Sequence, residues 1–174
     1  LYTLDDARAA ISQFEAIPRD SWQIGKGGLR FRFRYNGHIL GASFIELELG
    51  GKRFVFSGDV GRPEDELLGP PERPEQADVL LLESTYGDRN HRPMEDTLAE
   101  FATIITETWQ SKGNVLIPAF AVGRTQEIIF HLGELYQQGK LKQQAIFLDS
   151  PMAIAVTEIY HRYQDVYNQE DKNK

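Results

Sequence analysis

The sequence predicts an α/β fold. Residues 29–35 (LRFRFRY) alternate apolar and arginine positions with the period of two that marks a strand. Val79, Leu80, Leu81 and Leu82 are apolar at consecutive positions, as in a strand buried on both faces. From Val115 onward, strand-like and helix-like segments take turns, which is the order of a parallel β/α unit.

Along the chain, Thr3 is placed to cap a helix running to about residue 17, with Asp5 and Asp6 near its positive end and Leu4, Ile11 and Phe14 at roughly helical spacing. Pro18 ends it. The arginine-striped strand comes next, with one buried and one charged face, and the loop Asn36-Gly37-His38-Ile39-Leu40-Gly41 follows. Residues 43–49 and 53–57 form two further strand-like runs joined by Gly50, Gly51 and Lys52, a connection with the glycines of a tight hairpin. The second run empties into Gly58-Asp59-Val60-Gly61. Residues 65–76, rich in Pro and Glu, predict an exposed loop before the apolar strand, which ends at Glu83. A helix over 94–112 carries Leu98, Phe101, Ile105 and Trp109 on one side, and Gly113 closes it. A strand at 115–118, a turn containing Gly123, a helix over 124–138 and a strand at 145–148 complete the alternation. Ser150 then supplies the N-cap, and Pro151 the first-turn proline, of a last helix to Tyr163.

With 174 residues, 41% of them hydrophobic, the chain can bury a core of ordinary size, so one domain or one and a fraction is expected. An aromatic content of 11% argues against disorder. There is no cysteine, which excludes a disulfide framework and a thiolate zinc site and leaves any transition metal to His, Asp or Glu. That composition predicts a cytoplasmic protein. No apolar run approaches the roughly 18 residues needed to cross a bilayer, and the N-terminus has neither a basic nor an apolar leader region, so no membrane partner is expected. The chain starts without Met and directly in a helical pattern, as a sequence cut from a longer one would. A net charge of -7 runs against a nucleic-acid partner, although a metal site is acidic before its ion arrives and a phosphate cleft is a local feature.

Three polar residues share a placement just past the end of a predicted strand, where ligands collect in open α/β sheets: His38, Asp59 and Glu83. Together they suit a divalent ion. Each also has an ordinary reading: His38 as a hydrogen-bonding loop residue, Asp59 as a turn residue between glycines, Glu83 as a cap or a partner of Arg89. Arg124 stands at a helix N-terminus after Gly123, where it would either hold a phosphate or pack and cap. Arg30, Arg32 and Arg34 form one strand face, either solvated or touching nucleic acid. His91 lies in the loop after Glu83, and His131 and His161 fall within helices, where structural roles or plain exposure are expected.

The segment GHILGA at 37–42 resembles the third metal motif of the β-CASP branch of the metallo-β-lactamase superfamily, and FSGDVGR at 56–62 resembles the fourth. ESTYGDRNH at 83–91 is similar to the acidic signature of that branch. IPAFAVGRTQE at 117–127 and LDSPMA at 148–153 look like the opening of its inserted CASP domain. The resemblance implies the later part of an αββα sandwich over residues 1–112, followed by the start of a β-CASP α/β domain over 113–174. It implies that His38 binds one zinc and Asp59 bridges two, that Asp59 and Glu83 are catalytic, and that Glu83 orients a histidine which protonates the leaving oxygen. Arg124 and Ser150 are the candidate substrate-binding residues.

The family's His-x-His-x-Asp-His motif is absent from this sequence, and so are the two histidines that close the family site. The expectation is therefore an internal fragment of a zinc-dependent nuclease, acting on RNA rather than DNA, with two zinc ions in the parent. The isolated chain should be inactive and should hold zinc weakly or not at all. Homodimerisation through an exposed sheet edge is also predicted. The rivals are a non-catalytic pseudo-nuclease scaffold, a small-molecule metallo-hydrolase, and a nucleotide-binding module. The 119–127 block disfavours the hydrolase, and the lack of a P-loop or a Rossmann fingerprint disfavours the nucleotide module.

Overall fold

The computed structural model describes residues 1–142 and 145–166. Five strands form one sheet in the order β1 (Gln23–Ile24), β2 (Arg30–Tyr35), β3 (Ser43–Leu49), β4 (Lys52–Phe56) and β5 (Val79–Leu81). The first three pairings are antiparallel and the β4–β5 pairing is parallel. The β3–β4 hairpin closes through Gly50 and Gly51, both at positive φ, with Leu49 opposite Lys52. That is the two-residue turn whose twist matches the strands it joins.

The arginine stripe of β2 turns out to be paired rather than solvated. Arg32 donates to Glu46, whose side chain is wholly buried in the middle of β3. Arg34 lies 2.6 Å from Glu72 and 3.0 Å from Asp20, and 3.8 Å from the second oxygen of Glu46. Trp22 receives the guanidinium groups of Arg30, Arg32 and Arg53 on its ring at 4.8, 4.7 and 5.7 Å. An alternating pattern reports two faces; which of them meets more protein depends on what the neighbouring strand and loop bring opposite.

Several expectations change in the same way. The apolar strand is a sheet edge with every residue exposed, because among the described residues only β4 pairs with it. The loop at 65–76 is anchored over its first part, while residues 73–76 are exposed as expected: Leu67 and Leu68 are buried with Tyr160 in one core cluster, against Tyr35, Leu40, Phe130 and Val156. Tyr35 donates its hydroxyl to the Leu68 carbonyl at 2.6 Å. Burial first, and the nearby Asp65 carboxylate second, push that hydroxyl up to about 12, so it stays a donor at any ordinary pH.

The helices are α1 (Leu4–Ile11), α2 (Met94–Gln110), α3 (Arg124–Gln137) and α4 (Pro151–Arg162). Thr3 and Asp6 make the capping box of α1, but the helix stops at Ile11, where Ser12 and Gln13 turn their side chains back onto the Ala9 carbonyl. Leu4, Ile11 and Phe14 are exposed, so no core draws the helix further. In α2 the apolar side buries Ile105 with Leu135 of α3 and Leu141, while Trp109 stays exposed. Lys112, at a φ of 59°, takes the left-handed turn after α2 that the sequence assigns to Gly113. The segments 115–118 and 145–148 are not strands: among the described residues nothing forms a ladder with them, and Leu116 and Phe147 are fully open. The parallel β/α unit is thus represented by its helices alone.

Candidate functional site

The loop after β2 carries His38, the loop after β4 carries Asp59, and Glu83 lies just past β5. Because β2 and β4 both run antiparallel to β3, and β5 runs parallel to β4, all three loops leave the same end of the sheet. They open into a cleft of about 480 Å³ whose lining also includes Arg62, His91, Arg124 and Glu127.

His38 Nε2 stands 3.7 Å from Asp59 Oδ2; the His38 side chain is partly exposed and that of Asp59 largely open to solvent. The loops that bring them there are tied by a residue the motifs do not mark. Asn36 is buried; its amide donates to the carbonyls of Ser57 (3.2 Å) and Asp59 (2.8 Å), and its side-chain oxygen accepts the His38 N–H at 3.3 Å. The Asn36 carbonyl accepts from Gly61 N–H at 2.8 Å. A Cβ on Gly61 would fall 2.0 Å from the Gly37 carbonyl oxygen, so only glycine lets the two loops approach this closely. An Asn before a glycine at a strand end reads as a turn former, and no local signal distinguishes this one.

Glu83 spans the next gap. One carboxylate oxygen accepts the Val60 N–H at 3.0 Å and the other accepts the Thr85 N–H at 3.1 Å, while Glu83 N–H donates to the Ser57 hydroxyl. The Val60 amide, then the hydroxyl and amide of Thr85, hold this carboxyl below its ordinary range, with a smaller contribution from His38. Arg89, the partner considered for Glu83, pairs with Asp88 instead. His91 stacks edge-on against Tyr86 at 4.6 Å.

On the opposite wall, Arg124 opens α3 and lies 2.7 Å from Glu127, which reaches Arg62 of the Asp59 loop at 3.5 Å. Gln126 and Thr125 are buried and fasten the preceding loop: Gln126 accepts the Gly123 N–H and donates to Ala121 and to Thr157 of α4, and Thr125 donates to the Phe120 carbonyl. Ser150 does not line the cleft; its hydroxyl accepts the Ala153 N–H at 3.2 Å and caps α4. His131 is buried between α2 and α3, and His161 faces Gln164, so neither joins the site. Arg30, Arg32 and Arg34 are likewise outside the cleft.

Zinc bonds to nitrogen and oxygen are about 2.0–2.2 Å long, so two donor atoms at the His38–Asp59 separation can both reach one ion. An imidazole and a carboxylate are suitable donors for it. Among the described residues no group of three or more His, Cys, Asp or Glu side chains is arranged to hold a metal, and the pair by itself supplies two donors.

Comparison with known proteins supplies the context. The Beta-Casp domain family matches residues 125–174. The chain is 38% identical over 167 residues to a ribonuclease of Thermus thermophilus, which covers 95% of the chain and 38% of that relative. It is 36% identical over 173 residues to the endoribonuclease ysh1 of Schizosaccharomyces pombe, across 97% of the chain and 22% of the relative. An RNase J-like protein of Methanocaldococcus jannaschii is 33% identical over 175 residues, across 99% of the chain and 41% of the relative. The chain therefore spans less than half the length of these relatives.

Proposed function

We propose that this chain is part of a β-CASP nuclease of the metallo-β-lactamase superfamily, on the strength of its similarity to the Beta-Casp family and to named ribonucleases, and that the protein carrying it hydrolyses phosphodiester bonds in RNA at a zinc centre to which this chain contributes His38 and Asp59. The observation that carries the proposal is the convergence of those two side chains, 3.7 Å apart at one end of the sheet. RNA is favoured over DNA because the relatives are named ribonucleases and endoribonucleases. When bound, a zinc pair supplies a hydroxide nucleophile at neutral pH and offsets charge on the phosphate oxygens.

The chain's own residues prepare that chemistry. His38 and Asp59 offer one neutral and one anionic donor. Glu83, kept ionised by three hydrogen bonds from Val60 and Thr85, rigidifies the backbone beside Asp59 and is the proposed support for a histidine that protonates the leaving oxygen. Arg124 presents a half-exposed guanidinium at the N-terminus of α3, where a phosphate gains from both the side chain and the helix dipole. We place the division between the two parts of the chain near residue 112, and the protein in the cytoplasm, as its cysteine-free composition suggests. Two donors fall short of the three or four of a tight zinc site, so the isolated chain should be inactive. The outer edge of β5, open and apolar, is the proposed surface for homodimerisation; a clean monomer by light scattering would remove that part of the proposal.

The test uses the full-length protein. His38→Ala and Asp59→Asn are compared with the parent for bound zinc and for cleavage of labelled single-stranded RNA and DNA of one sequence. Both variants should lose zinc, and RNA cleavage should fall by at least about a hundredfold. Retention of zinc and of cleavage by both would overturn the assignment; equal cleavage of DNA would overturn the substrate choice.

A further inference from the structure

The residues immediately after both proposed ligands are gripped from the C-terminal side of the cleft. Leu40, two positions past His38, donates its N–H to the Tyr160 hydroxyl at 3.2 Å. Tyr160 belongs to α4 and is buried among Leu67, Leu68, Leu40, Phe130 and Val156, so its hydroxyl is aimed by the core and not by solvent. Ile39 meets the loop before α3 at Gly123: a Cβ there would fall 2.8 Å from Ile39 Cγ2, and Gly123 holds a φ of 83°. On the other loop, Arg62, three positions past Asp59, is held by Glu127 of α3. Three contacts of different kinds, a hydrogen bond, a close packing and an ion pair, therefore run from α3 and α4 onto the loops bearing His38 and Asp59.

We propose that α3 and α4 form a clamp that sets the separation of His38 and Asp59, with Tyr160 and Glu127 as its positioning residues. The inference rests on the reading of His38 and Asp59 as zinc ligands and adds a dependence that their own loops do not impose. Both stand outside the proposed donor pair: the Tyr160 hydroxyl accepts from Leu40, and the two oxygens of Glu127 face Arg62 and Arg124. Their effect is to fix the backbone that presents the donors, and supporting groups of this kind are worth on the order of tenfold in metal affinity.

In the full-length protein, zinc affinity is measured by competition with a chromophoric chelator, and site geometry by the visible spectrum after cobalt substitution. Tyr160→Phe and Glu127→Gln should each weaken zinc by about tenfold and alter the cobalt bands. Val156→Ala, which thins the same cluster without touching a hydrogen bond, should lower the thermal midpoint and leave zinc affinity near that of the parent. Unchanged affinity in both Tyr160→Phe and Glu127→Gln overturns the clamp, as does an equal loss in Val156→Ala, which would make the effect one of general stability. His38→Ala separates the two levels: if it weakens zinc while Tyr160→Phe does not, only the clamp fails, and if it leaves zinc unaffected the ligand assignment fails and the clamp with it.

Discussion

At the scale of single residues, the site depends on Asn36 as much as on the groups that face the cleft. Three hydrogen bonds from one buried amide join the backbone of Ser57, Asp59 and His38. Asn36→Ala would remove the side-chain partner of one buried carbonyl and of a part-buried carbonyl and N–H, and should cost about 2 kcal/mol in urea unfolding; a loss below about 0.5 kcal/mol would show that water takes over these bonds. Glu83 makes a second prediction, through pH. Its carboxyl lies below the ordinary range in the folded chain, so the folded state binds that proton less readily than the unfolded state. The stabilisation is complete above the unfolded carboxylate value, about 4.3, and is lost as pH falls through the lower folded value. Glu83→Gln should therefore flatten part of the acid limb of thermal midpoint against pH, and an acid limb identical to the parent's would refute the assignment. The convergence of His38, Asp59 and Glu83 on one end of the sheet was legible because each stands just past a strand. Asn36 was not, because its role arises only where two loops, separated by more than twenty residues, meet.

Among the elements, β2 and β3 contain the least expected feature, a fully buried Glu46 between Arg32 and Arg34. Desolvating that carboxylate is unfavourable unless both arginines stay in place, and the same holds in reverse for the guanidinium groups, which are about 15% exposed. Glu46→Gln should cost about 3 kcal/mol, whereas Glu48→Gln, whose pairs with Arg30 and Arg53 are more open, should cost under about 1 kcal/mol. Chemical denaturation that ranked the two the other way would contradict this account of the sheet. The elements the sequence located well are those whose signals are local: the Gly50-Gly51 hairpin, the Ser150-Pro151 start of α4, and the opening of α3 after Gly123. It misjudged burial wherever that depended on neighbours. Val79 to Leu82 look like a core strand, yet Val79 to Leu81 form an edge; residues 65–76 look like a solvent loop, yet Leu67 and Leu68 are buried; and 115–118 has strand composition with no strand beside it among the described residues. Pattern specifies which face is apolar; tertiary partners decide whether that face is covered.

For the molecule as a whole, the question is how a chain of net charge -7 would take part in the proposed binding of a polyanion. Arginines account for much of its positive charge, but those of β2 are committed to Glu46, Glu48, Glu72 and Asp20 and stand outside the cleft. At the cleft, Arg62 and Arg124 share Glu127, and Arg124 is the more exposed of the two. Under the proposed function an RNA phosphate would have to compete with Glu127 for Arg124, which would make the contact local and dependent on salt. Each phosphate contact removed lowers the slope of log affinity against log salt by about 0.7 for a single strand. Arg124→Ala in the full-length protein should weaken RNA binding across unrelated sequences and reduce that slope by roughly this amount. Arg32→Ala should instead lower stability, because the buried Glu46 would keep only its longer contact with Arg34, and leave the slope unchanged. Fluorescence anisotropy with one labelled single strand at several salt concentrations measures both; a slope reduced by Arg32→Ala and not by Arg124→Ala would move the nucleic-acid surface from the cleft to the face of the sheet.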